Sequence, residues 1–100
     1  MRPLGAFTIP AGHPSLPGHF PGRPLAPGVV LLDHAATLIL ATHPGRRIAG
    51  FPSVRFIRPV RPGDVVEVSA AGDRFACAVG PDAVLTGTFT LADAVLAEGR

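Results

Sequence analysis

A single run of helical character interrupts a chain whose remaining apolar residues follow strand patterns. Residues 28–45 read GVVLLDHAATLILATHPG, with Pro27 and Gly28 punctuating the start and Pro44–Gly45 the end. Breakers placed in this way bracket a helix. The run contains β-branched residues, but its length and Ala-rich middle favour about four turns of helix over a strand. It is apolar on nearly every face, so it is expected to be buried all round rather than laid on a surface. A chain with one such helix needs another element large enough to wrap it.

The rest of the sequence supplies that element. Residues 48–58 (IAGFPSVRFIR) and 64–70 (DVVEVSA) have a period of two and flank an RPVRPGD turn. Residues 74–79 (RFACAV) and 84–91 (VLTGTFTL) read as two more strands, joined by Gly80–Pro81–Asp82. A short first strand is expected at Ala6–Ile9. The fold class that accommodates these elements is α+β, an antiparallel sheet of about five strands wrapped around one central apolar helix. The 100 residues suffice for one compact domain and not for two, so a single domain over 1–100 is expected. A core this small would gain from a second copy.

Composition narrows the function classes. The cationic residues number 9 and all are Arg, yet the net charge is only +2 and no continuous basic run occurs. The 6 Phe are not interleaved with Arg, so nucleic-acid binding is not expected. Cys77 is the only cysteine, which excludes an intrachain disulfide and a thiolate metal cluster. The stretch Val29–Ala41 is broken by Asp33, His34 and Thr37 and is too short for a membrane span. No signal-like segment opens the chain. A cytoplasmic protein without membrane insertion is expected.

Proline and glycine crowd residues 10–28, PAGHPSLPGHFPGRPLAPG. So many rings forbid a helix and most ladder pairing. Leu16, Phe20 and Leu25 are interleaved there with His13 and His19, and a mere linker has no need of them. An ordered, packed loop is therefore expected.

The polar groups beside this loop could carry chemistry. Asp33 lies about one and a half turns into an otherwise apolar helix. A buried carboxylate needs partners or retains its proton; the alternative is an Asp facing a solvent gap. His19 stands between Gly18 and Phe20–Pro21, which leave room for a substrate on one side and restrict the ring on the other. The helix start at Gly28 and Val29 offers free N–H groups that could hold a carbonyl oxygen. Base, acid and oxyanion site are the parts needed to abstract a proton next to a carbonyl. No zinc-type spacing links His13, His34 and His43 to His19, so no metal is expected. Cys77 reads as packing rather than nucleophile.

The segment GHFPGRPLAPGVVLLD at 18–33 closely resembles the active-site signature of the bacterial 3-hydroxyacyl-acyl-carrier-protein dehydratases. That pattern is Gly-His-Phe-Pro-Gly, then Pro, then Pro-Gly-Val, then an acidic residue on the central helix. Gly50, Phe56 and RPVRPGD at 58–64 resemble the family's strand–turn segment. The resemblance implies the hotdog fold. It also implies that His19 and Asp33 are the catalytic pair, with Phe20, Gly28 and Val29 on the substrate and the Gly28 N–H on the thioester oxygen. The His and acid of one site come from different subunits in relatives, which implies a homodimer or an assembly of dimers. The chain departs from the family at Thr37, where Gln is common, and in lacking the usual N-terminal segment.

The function so implied is a lyase that turns a 3-hydroxyacyl thioester, on acyl-carrier protein or CoA, into the trans-2-enoyl thioester and water. The pathway would be fatty-acid, polyene or polyketide biosynthesis. No cofactor is required, since the thioester acidifies the adjacent carbon. Arg58 and Arg61 would dock an acidic carrier. Two rivals remain open: a hotdog thioesterase in which Asp33 activates water, and a non-catalytic hotdog subunit that pairs with an active partner.

Overall fold

A computed structural model describes residues 1–9 and 28–94. Its elements run β1 (Arg2–Thr8), α1 (Gly28–Ala41), β2 (Arg46–Phe56), β3 (Val65–Ala71), β4 (Arg74–Val79) and β5 (Asp82–Asp93). The strands form one sheet in the order β1-β3-β4-β5-β2, with every neighbouring pair antiparallel. The chain meanders through β3, β4 and β5 at the centre. Gly72 (φ 59°) and Gly80 (φ 58°) supply the left-handed residues that the two tight turns require. β1 and β2 take opposite edges, with α1 between them in sequence.

The helix and the four later strands lie where the sequence places them, and β1 is longer than expected. It begins at Arg2 rather than Ala6, because Pro3 and Gly5 hide the strand pattern. Its register with β3 slips between Pro3 and Gly5. An edge strand tolerates both residues, since one side of its ladder has no partner to satisfy. The Leu38 side chain would lie 3.0 Å from a Cβ at Gly5, so glycine there lets α1 approach the sheet.

One face of the helix and one face of the sheet make the core. Val30, Leu31, Ala35 and Ile39 of α1 are buried together with Val66, Val68, Phe75, Cys77, Leu85 and Phe89 of the sheet. No polar or charged side chain is buried among the described residues. The expectation of a helix buried all round does not hold for the single chain. Val29 is 66% exposed, and Asp33 and Thr37 are exposed as well. These three residues are four apart and so share one face of α1. The sheet covers the opposite side of the helix and does not reach round to this one.

Candidate active site

The helix start and the turn after β2 build a hollow at one end of the fold. Gly28 and Leu31 face Phe56, Ile57, Arg58, Pro59 and Val60 across a pocket of about 260 Å³. Several contacts fix the turn. Val60 is 1% exposed and plugs into the core, which anchors the segment from inside. The Arg61 N–H donates to Asp64 Oδ2 at 2.9 Å, and the Asp64 N–H donates to the Arg61 carbonyl at 3.1 Å. Gly63, at φ 92°, donates its N–H to the Ile9 carbonyl at 2.9 Å. The Ile57 N–H reaches the Val84 carbonyl at 2.9 Å, which ties the pocket wall to β5.

Gly28 makes the hollow accessible. A Cβ at this position would lie 2.6 Å from the Phe56 ring, so any side chain would collide with the pocket wall. The first N–H groups of a helix have no acceptor within it and carry partial positive charge. Without a side chain at Gly28, a carbonyl oxygen in the pocket can approach them. Phe56 (55% exposed) and Ile57 (45% exposed) add an apolar rim suited to an acyl chain.

Asp33 is placed differently. It lies on the uncovered face of α1 and makes no ion pair among the described residues. It is not among the residues that line the pocket. The Thr37 hydroxyl donates to the Asp33 backbone carbonyl at 3.1 Å, so it serves the helix rather than the carboxylate. Val29 also faces outward. His19 and Phe20 fall outside the described residues. The structure thus brings Gly28 together with the Phe56–Val60 wall, and leaves Asp33 and Val29 on an open surface beside it.

Of the two docking candidates, Arg58 lies nearer the pocket. It pairs with Asp82 at 3.3 Å and lines both the pocket and a neighbouring depression shared with Arg61. Leu31, Phe56, Ile57 and Val60 are pocket residues that the site reading did not single out. Phe56 and the RPVRPGD turn carry part of the resemblance, and that was the available signal for this wall.

Three other titratable side chains have structural roles. The His43 ring Nδ1 lies 2.9 Å from the Ile39 carbonyl and ties off the end of α1. His34 stacks on Phe7, with ring centroids 4.4 Å apart. Cys77 is fully buried, and desolvation pushes its thiol up to about 11 from 9.0.

Residues 3–86 match the ApeI-like family, described as ApeI dehydratase. The chain belongs to this dehydratase family. Relatives in sequence bear the name 3-hydroxyacyl-[acyl-carrier-protein] dehydratase FabZ. That of Chloroflexus aggregans is 35% identical over 88 residues, covering 80% of this chain and 61% of its own length. That of Thermomicrobium roseum is 34% identical over 108 aligned positions, covering 100% of this chain and 70% of its own length.

Among solved structures, the dehydratase heterocomplex ApeI:P from Xenorhabdus doucetiae superposes with a TM-score of 0.73 at 21% identity. That match covers 87% of this chain and 83% of the other. An uncharacterized protein from Erwinia carotovora gives a TM-score of 0.67 at 27% identity over 88% of this chain and 80% of its own. The fold of this chain is the hotdog, as the sheet order and single helix indicate. No helix among the described residues is long and apolar enough to cross a membrane.

Proposed function

We propose that this dehydratase acts as one domain over residues 1–100, as a cytoplasmic homodimer or an assembly of dimers. It converts a 3-hydroxyacyl thioester borne on an acyl-carrier protein into the trans-2-enoyl thioester and water. The observation that carries this reading is the pocket at the start of α1. There the two segments that resemble dehydratases, 18–33 and 50–64, meet at Gly28 and Phe56–Val60.

The chemistry follows from the parts. The thioester oxygen sits on the free N–H groups at Gly28 and Val29, which stabilise negative charge as it develops on that oxygen. His19 takes a proton from the carbon next to the thioester as general base. The electron pair of that C–H bond becomes the new carbon–carbon double bond as the C3–O bond breaks. The departing hydroxyl, positioned by Asp33, takes up a proton from His19, or from the Asp33 carboxyl, which His19 then reprotonates. It leaves as water, and no net proton is consumed. Phe20 and the Phe56–Ile57 rim enclose the acyl chain.

The exposure of Asp33 fits a site completed by a second copy. Among the described residues the Asp33 carboxylate, on the bare face of α1, has no ion-pair partner, whereas a neighbour packed on that face could present its His19 loop to it. Arg58, at the pocket edge, and Arg61, in the depression beside it, are suited to an acidic carrier, mainly through its rate of association. Reversing the charge at Arg61 should raise KM for a carrier-borne substrate and leave that for a short thioester nearly unchanged.

The deciding experiment incubates the purified protein, with no partner, with a 3-hydroxyacyl thioester and follows the product by mass. Loss of one water with the thioester intact supports the reading. Release of the free acid would make the protein a thioesterase. An inert protein that gains activity only with a second hotdog subunit would be the non-catalytic partner.

A further inference from the structure

The sheet face turned away from α1 carries a polar cluster that dehydration does not use. Phe75 is fully buried on the helix side, so its neighbours Arg74 and Ala76 point to the other face. A Cβ at Gly87 would lie 3.0 Å from the Phe75 ring, which puts Gly87 on the helix side and Thr86 and Thr88 on the outer face. The strand register then fixes two rows across β4, β5 and β2. One row is Arg74, Thr88, Ser53, and the next is Ala76, Thr86, Arg55. Two guanidinium groups and three hydroxyls thus share this face of β4, β5 and β2. Ser53, Arg55, Arg74, Thr86 and Thr88 line an open depression of about 370 Å³, and no carboxylate lines it.

These cations are unbalanced. The ion pairs among the described residues are Arg46–Asp93 and Arg58–Asp82, and neither Arg55 nor Arg74 takes part in one. The hydroxyls of Ser53, Thr86 and Thr88 make no side-chain hydrogen bond among the described residues, although the Thr90 hydroxyl nearby finds the Gly50 carbonyl. Two cations on one sheet face with no carboxylate between them leave a net positive patch that attracts anions.

We propose that this depression binds an oxyanion of the phosphate class, outside the reaction pocket. Each guanidinium offers a planar fork that matches two oxygens of a phosphate. The hydroxyls of Ser53, Thr86 and Thr88 supply further donors around the depression. A multiply charged anion satisfies both forks together, which chloride cannot do. The phosphate could be free or part of a larger ligand such as a nucleotide, and the shared chemistry is the terminal oxyanion.

The test is calorimetry on the whole protein at constant ionic strength, titrating pyrophosphate in one arm and coenzyme A in the other. Saturable binding of pyrophosphate is expected, weakened about tenfold or more by Arg55→Gln or Arg74→Gln, on the scale of losing a charge-assisted bidentate contact. Arg47→Gln, an exposed cation outside the depression, should leave it unchanged. Arg55→Lys, which keeps the charge and loses the fork, should fall between. Coenzyme A binding more tightly than pyrophosphate, with the same dependence on Arg55 and Arg74, would identify a phosphate carried on a larger ligand. Equal or weaker binding would identify the free oxyanion. No binding to the wild-type protein, as when carboxylates of a second copy fill the depression, overturns the proposal. Binding that survives the double Gln substitution overturns it as well.

Discussion

Asp33 shares its face of α1 with Val29 and Thr37, and all three are exposed in the single chain. An exposed carboxylate contributes little to folding, so Asp33→Asn should leave thermal stability within about 0.5 kcal/mol of the wild type. The same change should cut turnover by about a hundredfold or more, the scale of a lost acid–base group. His19→Ala should behave likewise, and a variant with full turnover would remove that residue from the mechanism. Gly28→Ala is a third test, because its methyl would clash with the Phe56 ring that walls the pocket and force one of them to shift. It should fold and lose most of its activity. Cys77 allows a separate prediction, because the chain contains no Lys and 0 Tyr to titrate in the same alkaline range. Its pKa is raised from 9.0 to about 11 in the folded state. Below pH 9 the thiol is neutral in both states, and its burial costs nothing extra. Between 9 and about 11 only the unfolded chain releases the proton, so stability falls as pH rises through that window. Urea unfolding at a series of pH values should show this fall in the wild type and a flatter profile in Cys77→Ala.

At the level of elements, β5 and α1 explain what could be read in advance and what could not. Gly87 interrupts the apolar side of β5, where its absent side chain lets the Phe75 ring and the Ser53 carbonyl close in. A Cβ there would lie 3.0 Å from the ring and 2.5 Å from the carbonyl oxygen. Backbone cannot swing aside, so Gly87→Ala should cost about 2 kcal/mol or more, at the upper end of overpacking. Gly50→Ala is a fair comparison, since its nearest neighbour would be the Thr90 hydroxyl at an ordinary 3.8 Å. Denaturant midpoints of the two variants should therefore differ clearly. The alternation of Val66 and Val68, and of Phe75 and Cys77, was enough to place β3 and β4, because period two has one structural meaning. The Pro-Gly brackets did the same for α1. Pro3 and Gly5 concealed the start of β1, since an edge strand need not follow the interior pattern. The exposed face of α1 was illegible for a different reason. Apolar composition shows that a helix seeks cover, but it does not show whether its own sheet or another chain provides it. The pocket wall at Phe56–Val60 was half legible, as a matching segment without a location.

For the molecule as a whole, the sheet shields one side of α1 and leaves Val29, Asp33 and Thr37 uncovered, next to the exposed apolar Phe56 and Ile57. β2 lies at an edge of the sheet nearby, with β5 as its one strand neighbour among the described residues. Bare edges and apolar faces together invite a second copy, and closed two-fold pairing is the commonest way to cover them. Sedimentation at micromolar concentration should therefore show a dimer or larger assembly, and a stable active monomer would contradict this. A stricter test asks whether the two catalytic residues come from different chains. His19→Ala and Asp33→Asn would each be inactive alone. If both are unfolded together and refolded as a mixture, random pairing makes about half the dimers mixed. Each mixed dimer then has one site with both substitutions and one site with neither. The mixture should regain about a quarter of wild-type activity, since half the dimers carry one intact site of two. A site built within one chain yields no recovery, because every site would then keep its own lesion. Recovery near a quarter would identify Asp33 as the residue that one copy lends to its partner.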